Sequence, residues 1–263
     1  MTCRVSAALT KVNKSMAVKG DGRRQPVARG PALSVSIDEK VRFLRTWEAY
    51  GHYPQAVDVK ETHMSWVFTA GDRVYKLKKP VRYAFLDFRT LAAREINCRE
   101  EVRLNRRLAP DVYLGVVSLT LEPDGRLAIA GRGEVVDWLV EMRRLPDELM
   151  LDQAILKHTI EHDRTGRLDA VVDLLVDFYK ACSPAEISPL AYVQQFAREH
   201  DINETVLRDR SFNLDGAQVS DVLDRVRHGI EEAASLKDRV KRRRIVEGHG
   251  DLRPEHVCLP IPP

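Results

Sequence analysis

The sequence changes character near Pro146, where the two-residue alternation typical of strands gives way to the spacing of helices. Before this proline, Met64, Trp66 and Phe68 give the clearest alternation, and the Ala-Gly-Asp sequence at 70–72 is a turn signal that predicts a hairpin. After it, two segments keep apolar residues at helical spacing: Leu168, Val171, Val172, Leu175, Phe178 and Tyr179, then Val219, Val222, Leu223, Val226, Ile230 and Ala233. A sheet-rich half followed by a helical half predicts an α+β fold with two lobes.

The same patterns bound the individual elements. Ser36 and Glu39 form a capping box, so a first helix is expected to begin at Ser36 and to end before Gly51. The other elements predicted in the first half are a strand over 73–78, a charged helix over about 90–108, and strands over 112–121, 127–129 and 135–142. We therefore expect residues 36–142 to form a first lobe and residues 143–263 a second, helical one.

The positive charge of the chain is concentrated at its start. Residues 1–35 carry seven basic side chains against Asp21 alone, a net charge of +6, so that the remaining residues sum to −3 in a chain whose formal net charge is +3. The segment lacks the apolar core of a secretory signal. It predicts a disordered basic leader, with a targeting peptide or a start codon placed too far upstream as the alternatives.

Composition excludes several classes of protein. The chain is 44% hydrophobic and 31% charged, as in ordinary globular proteins, and no apolar run approaches the roughly 20 residues of a membrane helix. Its four cysteines are far apart and form no CxxC pair, which argues against a zinc cage or a disulfide framework and indicates a reducing, cytoplasmic location.

The most informative motif is the GHGDLRPEH sequence at 248–256. It resembles the HGDxxxxN catalytic loop of the aminoglycoside phosphotransferase family, whose members have a protein-kinase-like two-lobe fold. The resemblance implies that Asp251 orients an acceptor hydroxyl and takes its proton, and that His249 fixes the shape of the loop. It also implies that ATP and Mg²⁺ are cofactors and that a small molecule is the acceptor.

Upstream phrases extend the resemblance from about Glu61 to Leu259, with the sequences ETHMSWVF, DRVYKLKKPV and LNRRLAPDVYLGVV in order. Lys76 then matches the lysine that contacts ATP phosphates, with Lys78 on the same strand face as the alternative. Glu101 is the expected partner of that lysine, and Glu100 is its alternative. The remaining residues expected to bind the nucleotide are Thr62 and Ser65 near the phosphates, and Glu141 and Met142 in a hinge whose backbone would bind adenine. The resemblance thus predicts that Lys76 and Asp251 face each other across one nucleotide-sized cleft.

Three departures from the family pattern bear on activity. No glycine-rich loop precedes Lys76, and His256 stands where a metal-binding asparagine is expected, although imidazole is a poor ligand for Mg²⁺. The tail at 260–263 contains three prolines and cannot form the returning strand that carries a second metal-binding aspartate. We therefore expect an incomplete helical lobe and impaired activity, with a nucleotide-binding pseudokinase or a non-functional fragment as alternatives.

Three other patterns have simpler interpretations. The HxxEH string at 158–162 matches a zinc-protease motif but runs into a polar break at 163–166. Glu247, His249, Asp251 and His256 are a further candidate metal cluster. The basic run at 237–244 lacks the interleaved aromatic residues of a nucleic-acid site, which argues for a solvated helix end.

Overall fold

The computed structural model describes residues 4–5, 35–51, 54–83, 86–160 and 166–260. These residues cluster into two compact units. The first comprises Met1–Val176 together with His249–Pro263, and the second comprises Asp177–Gly248.

The described residues form ten strands and seven α-helices, which confirms an α+β protein. The strands are β1 Arg4–Val5, β2 Val57–Glu61, β3 Ser65–Ala70, β4 Arg73–Lys78, β5 Arg82–Tyr83, β6 Leu86–Asp87, β7 Tyr113–Leu121, β8 Leu127–Ile129, β9 Glu134–Arg143 and β10 Val257–Cys258. The helices are α1 Ile37–Leu44, α2 Leu91–Asn105, α3 Leu151–Leu156, α4 Arg167–Ala181, α5 Pro189–Leu207, α6 Gly216–Glu231 and α7 Ala234–Lys241. Short 3₁₀ turns lie at Trp47–Ala49, Asp147–Leu149, Arg210–Phe212 and Pro254–His256.

A curled antiparallel sheet of six strands, in the order β2-β3-β4-β9-β7-β8, is the centre of the first unit. On one face the sheet packs against α1, and the buried residues of this layer include Val41, Leu44, Phe68, Leu77 and Leu139. On the other face it packs against α2, through a second buried cluster that includes Cys98, Val102, Val112, Tyr113 and Val140. The sheet is thus the middle layer between two helices.

The first helix and the hairpin follow the sequence prediction closely. Ser36 Oγ accepts a hydrogen bond from the Glu39 amide, and the Glu39 carboxylate accepts one from the Ser36 amide, so the predicted capping box is confirmed. Strands β3 and β4 form the predicted hairpin, in which Gly71 adopts φ +62°, a conformation that glycine reaches without strain. Sequence-local signals are sufficient to set both features.

A buried ion-pair triad joins the three layers. Lys40 of α1 donates from Nζ to Asp137 Oδ2 at 2.8 Å, and Arg94 of α2 donates from Nε to Asp137 Oδ1 at 2.7 Å. All three side chains are buried, and Arg94 also donates to the carbonyl oxygen of Phe88 at 2.9 Å. Asp137, in the central strand β9, therefore holds a helix on each side of the sheet.

The second unit is helical. Helices α5, α6 and α7 pack together around a core that includes Leu223, Ala233 and the buried ring of His200. The structure thus confirms the change from strands to helices along the chain. None of the helices in the described ranges is long and apolar enough to cross a bilayer.

Two residues of the basic leader are described in the structure. Arg4 and Val5 form β1, which pairs antiparallel with β10 in the register Arg4 to Cys258 and Val5 to Val257. The disorder expected over residues 1–35 stays a prediction. Residues 1–3 and 6–34 lie outside the described part of the chain.

Candidate functional site

Two lysines of β4 and one glutamate of α2 form a buried charge cluster. Lys76 Nζ lies 2.9 Å from Glu101 Oε1, and Lys78 Nζ lies 2.5 Å from Glu101 Oε2. Lys76 and Lys78 are two residues apart on one strand, so both point to the face that α2 covers. The predicted contact between Lys76 and Glu101 is present, and Lys78, named as the alternative, shares the same carboxylate.

The cluster carries one uncompensated positive charge. Burial by itself would raise the pKa of Glu101, but the charges and hydrogen bonds of Lys76 and Lys78 outweigh it and lower that pKa to about 2. The carboxylate is therefore ionised at neutral pH, and two ammonium groups face one carboxylate. By contrast, Glu100 pairs with Arg103 at 2.6 Å, and it is Glu101 that contacts Lys76, so the structure favours Glu101 over Glu100.

A groove of about 680 Å³ lies on the same face of the sheet as Lys76. Val67 is the cross-strand partner of Lys76, and Val74 is two residues before it, so their side chains share its face. The groove is lined by Asp58, Lys60, Val67, Thr69 and Val74 from β2–β4, by Val112, by Met142, Arg143, Arg144, Leu145, Asp147, Met150, Asp152 and Gln153, and by Glu255. It therefore combines an apolar sheet surface with a charged rim.

The hinge expected at Glu141 and Met142 is not a free segment. Both residues lie inside β9, paired with β4 on one side and with β7 on the other, so their backbone groups belong to the sheet. The side chain of Met142 lines the groove, whereas that of Glu141 accepts from Tyr75 Oη at 3.3 Å on the opposite face. Met142 therefore lines the groove and Glu141 does not, while the binding of adenine by the backbone of these two residues stays a prediction.

The turn at residues 62–65, which was expected to cover the phosphates, is closed by the hydroxyl of Thr62. Thr62 Oγ1 accepts from the Ser65 amide and donates to the Ser65 carbonyl, both at 3.0 Å. The side chain of Ser65 is buried at the start of β3. The Thr62 hydroxyl thus shapes the turn, and its expected contact with phosphate stays a prediction.

The loop around Asp251 is held by side chains of its own sequence. The Asp251 amide donates to His249 Nδ1 at 3.2 Å, and the carbonyl oxygen of Asp251 lies 2.7 Å from His256 Nδ1. Arg253 Nε lies 3.3 Å from Asp251 Oδ1, while Gly250 adopts φ +83°. These contacts fix the backbone on both sides of the carboxylate, as the sequence predicted for His249. Arg253 was not singled out, although its position two residues after Asp251 was the available signal.

His256 contacts its own loop through both ring nitrogens. Arg253 Nη2 lies 3.3 Å from His256 Nε2 and can only donate, so Nε2 accepts and the hydrogen on Nδ1 points to the carbonyl of Asp251. Both ring nitrogens are thus engaged within the loop. The assignment of His256 as a metal ligand is therefore not supported by this arrangement.

His249 is neutral and partly enclosed. Burial lowers its pKa, the electrostatic effects of His256 and Arg107 lower it further, and that of Asp251 opposes them. Since Nδ1 accepts from the Asp251 amide, the hydrogen of neutral His249 lies on Nε2, a buried atom without a hydrogen-bond partner in the described residues. His249 therefore acts on Asp251 through the backbone.

Metal-binding alternatives find little support. Within the described ranges, no group of three or more His, Cys, Asp or Glu side chains is placed to hold a metal ion. The cluster suggested for Glu247, His249, Asp251 and His256 is therefore not formed. The HxxEH string lies partly outside the described residues, because 161–165 are not among them.

Comparison with known proteins finds relatives in mycobacteria. The chain is 35% identical over 209 residues to the uncharacterized protein Mb2027c of Mycobacterium bovis and, equally, to the uncharacterized proteins MT2060 and Rv2004c of Mycobacterium tuberculosis. The match covers 77% of this chain and 39% of each relative, so the chain spans about two-fifths of the length of the curated relatives it matches. No family model matches the sequence. No solved structure matches it either.

Proposed function

We propose that this chain binds ATP and transfers its terminal phosphoryl group to the hydroxyl of a small molecule, as a kinase-like two-lobe protein of the aminoglycoside phosphotransferase kind. The observation that carries the proposal is the buried cluster of Lys76, Lys78 and Glu101, with its net positive charge on the groove face of the sheet. The similarity of the catalytic-loop sequence at 248–256 supports it independently.

The cluster is suited to an anion. A positive charge in a partly dehydrated site interacts with phosphate more strongly than it would in water. Lys76 is the more exposed of the two lysines, with 13% of its side chain accessible against 3% for Lys78. Its ammonium group is therefore the one that would contact the phosphates.

The size and lining of the groove favour a nucleotide as the molecule that carries the phosphate. Its volume of about 680 Å³ lies within the range typical of small-molecule sites. Val67, Val74 and Met142 offer an apolar surface for a base. The charged residues of the lining are three cations and four carboxylates: Lys60, Arg143 and Arg144, and Asp58, Asp147, Asp152 and Glu255. Glu255, from the loop of Asp251, lines the same groove as Val74, from the strand of Lys76. This shared lining supports the prediction that Lys76 and Asp251 face one cleft.

The proposed chemistry is a direct displacement. The acceptor hydroxyl forms a bond to the terminal phosphorus as the bond to the bridging oxygen breaks, ADP leaves, and the hydroxyl proton passes to Asp251. Lys76 neutralises charge on the phosphates, and the contacts of His249 and His256 hold the Asp251 backbone. The described residues assemble no set of ligands for Mg²⁺, so no step is assigned to a protein-held metal.

Lys76→Met is expected to weaken ATP binding by roughly tenfold to a hundredfold, the range for loss of one charge-assisted contact. Isothermal titration calorimetry with MgATP measures the change. Lys79→Met is the control, because it removes the same charge three residues further along the chain, where Lys79 packs over Trp66 on the α1 face of the sheet and pairs with Glu61. Equal ATP affinity in wild type and Lys76→Met would contradict the assignment.

Asp251→Asn is expected to lower phosphoryl transfer at least about a hundredfold while leaving ATP affinity unchanged. ADP release is followed with a panel of aminoglycosides, sugars and polyols as acceptors. Asp124→Asn, in the exposed turn between β7 and β8, is the control. ATP binding by the wild type without acceptor-dependent ADP release would instead favour a nucleotide-binding pseudokinase.

A further inference from the structure

Glu101 has two ammonium partners where one is sufficient to neutralise it. Each carboxylate oxygen accepts from a different lysine, Oε1 from Lys76 and Oε2 from Lys78. No part of the Glu101 side chain is accessible to solvent. The binding of phosphate by Lys76 does not by itself account for the presence of Lys78.

The two lysines differ in their freedom to move. Lys78 is nearly inaccessible, and its ammonium lies 5.3 Å from the centre of the Phe88 ring. Phe88 is itself fixed, because its amide donates to Val81 and its carbonyl accepts from Arg94, both at 2.9 Å. Lys78 is therefore enclosed by fixed groups, whereas Lys76 retains an accessible surface on the groove face.

Removing a partner from a buried carboxylate is costly, because the charge that remains is neither solvated nor paired. If Lys76 were the sole partner of Glu101, any turn of its ammonium toward a phosphate would weaken the neutralisation of that carboxylate. With Lys78 in place, Glu101 keeps one full partner whatever Lys76 does. The geometry separates the task of neutralising Glu101 from the task of binding an anion.

We propose that Lys78 is a positioning residue, which keeps Glu101 neutralised and oriented so that Lys76 is free to bind an oligophosphate. This inference rests on the proposed function, because it assigns Lys78 a part in the same site. Lys78 does not itself contact the ligand, since its ammonium is enclosed between Glu101 and Phe88. Its contribution is the single positive charge that the cluster retains.

The test compares Lys78→Met, Lys78→Arg, the double variant Lys78→Met/Glu101→Gln and the control Lys79→Met. Binding of MgATP and of inorganic tripolyphosphate is measured by calorimetry, and folding by urea denaturation. Lys78→Met leaves one lysine for one carboxylate and is expected to bind both ligands roughly tenfold to a hundredfold more weakly. Lys79→Met does not touch Glu101 and is expected to stay within about threefold of wild type. Lys78→Arg retains the charge but not the shape of the lysine, so it is expected to bind both ligands more tightly than Lys78→Met.

The double variant separates positioning from folding. Removing the Glu101 charge together with that of Lys78 restores one uncompensated ammonium at Lys76, so binding is expected to recover most of the loss. If Lys78→Met fails to fold, the double variant still tests the role of Lys78, because it leaves no unpaired buried carboxylate. A folded double variant that binds as weakly as Lys76→Met would overturn the inference, as would a folded Lys78→Met with wild-type affinity.

The same binding measurements distinguish a failure of the proposed function from a failure of the role of Lys78. If the folded wild type binds neither ATP nor tripolyphosphate, the nucleotide site is wrong and the role of Lys78 falls with it. If it binds tripolyphosphate but not ATP, and Lys78→Met weakens that binding, the positioning role stands and the nucleotide assignment is wrong.

Discussion

Asp137→Ala is expected to lower the free energy of unfolding by roughly 3–5 kcal/mol, the range for removing one partner of a buried ion pair. The substitution leaves the ammonium of Lys40 and the guanidinium of Arg94 enclosed without the carboxylate that joins them. The hydrogen bonds that remain to each within the described part of the chain are to carbonyl groups, from Lys40 to Val136 and from Arg94 to Phe88 and Arg89. Because α1 and α2 are joined through this carboxylate, both layers of the first unit are weakened together.

Urea denaturation of the two proteins measures this difference. Glu134→Ala is the matched control, because it removes one carboxylate from an exposed position of the same strand and is expected to change stability by less than about 0.5 kcal/mol. A loss for Asp137→Ala no larger than that of the control would show that the triad contributes little.

Glu101→Ala is expected to have a similar effect, a loss of roughly 3–5 kcal/mol, since it leaves two buried ammonium groups without a counterion. Glu100→Ala removes the same charge from the neighbouring residue, which forms an i, i+3 pair with Arg103 near the surface. The expected loss there is at most about 1 kcal/mol. Equal losses in the two variants would contradict the buried cluster.

The pH dependence of the free energy of unfolding tests the same prediction in a second way. The pKa of Glu101 is lowered from its ordinary 4.5 to about 2, so the folded state holds this proton less tightly than the unfolded chain. The stabilisation is therefore complete above about pH 4.5 and is lost as the pH falls toward 2. The stability difference between wild type and Glu101→Ala is expected to shrink across that window, which urea denaturation at a series of pH values measures. A difference that is constant with pH would contradict the assignment.

Local sequence signals predicted much of the fold. The capping box at Ser36 and the turn at 70–72 depend on residues that are close in sequence, and both are found where expected. The charged helix also forms, although it ends at Asn105 rather than near 108. The pairing order of the sheet was not predicted, because it places β9 between β4 and β7 through contacts between distant segments.

For the candidate site too, the sequence predicted individual residues better than the contacts between them. Alternation along β4 was sufficient to place Lys76 and Lys78 on one face, but it offered them as alternatives, whereas the fold uses both. Glu141 was chosen by its position in the sequence, yet the alternation of β9 turns its side chain to the opposite face. His256 was chosen by residue type alone, and in the structure its two ring nitrogens contact Arg253 and the Asp251 carbonyl. A contact between separate segments decided the outcome for the two lysines, whereas the contacts of His256 lie within its own loop.

Helix α2 is attached to the sheet at two points along its length. Arg94 binds Asp137 of β9 near one end, and Glu101 binds the lysines of β4 seven residues later, about 10 Å further along the axis. A helix held at one point can still rotate about that point, whereas a helix held at two points has a fixed direction as well as a fixed position. The angle of α2 is therefore set by two different strands, and a tilt of the helix cannot occur without breaking at least one of its ionic attachments.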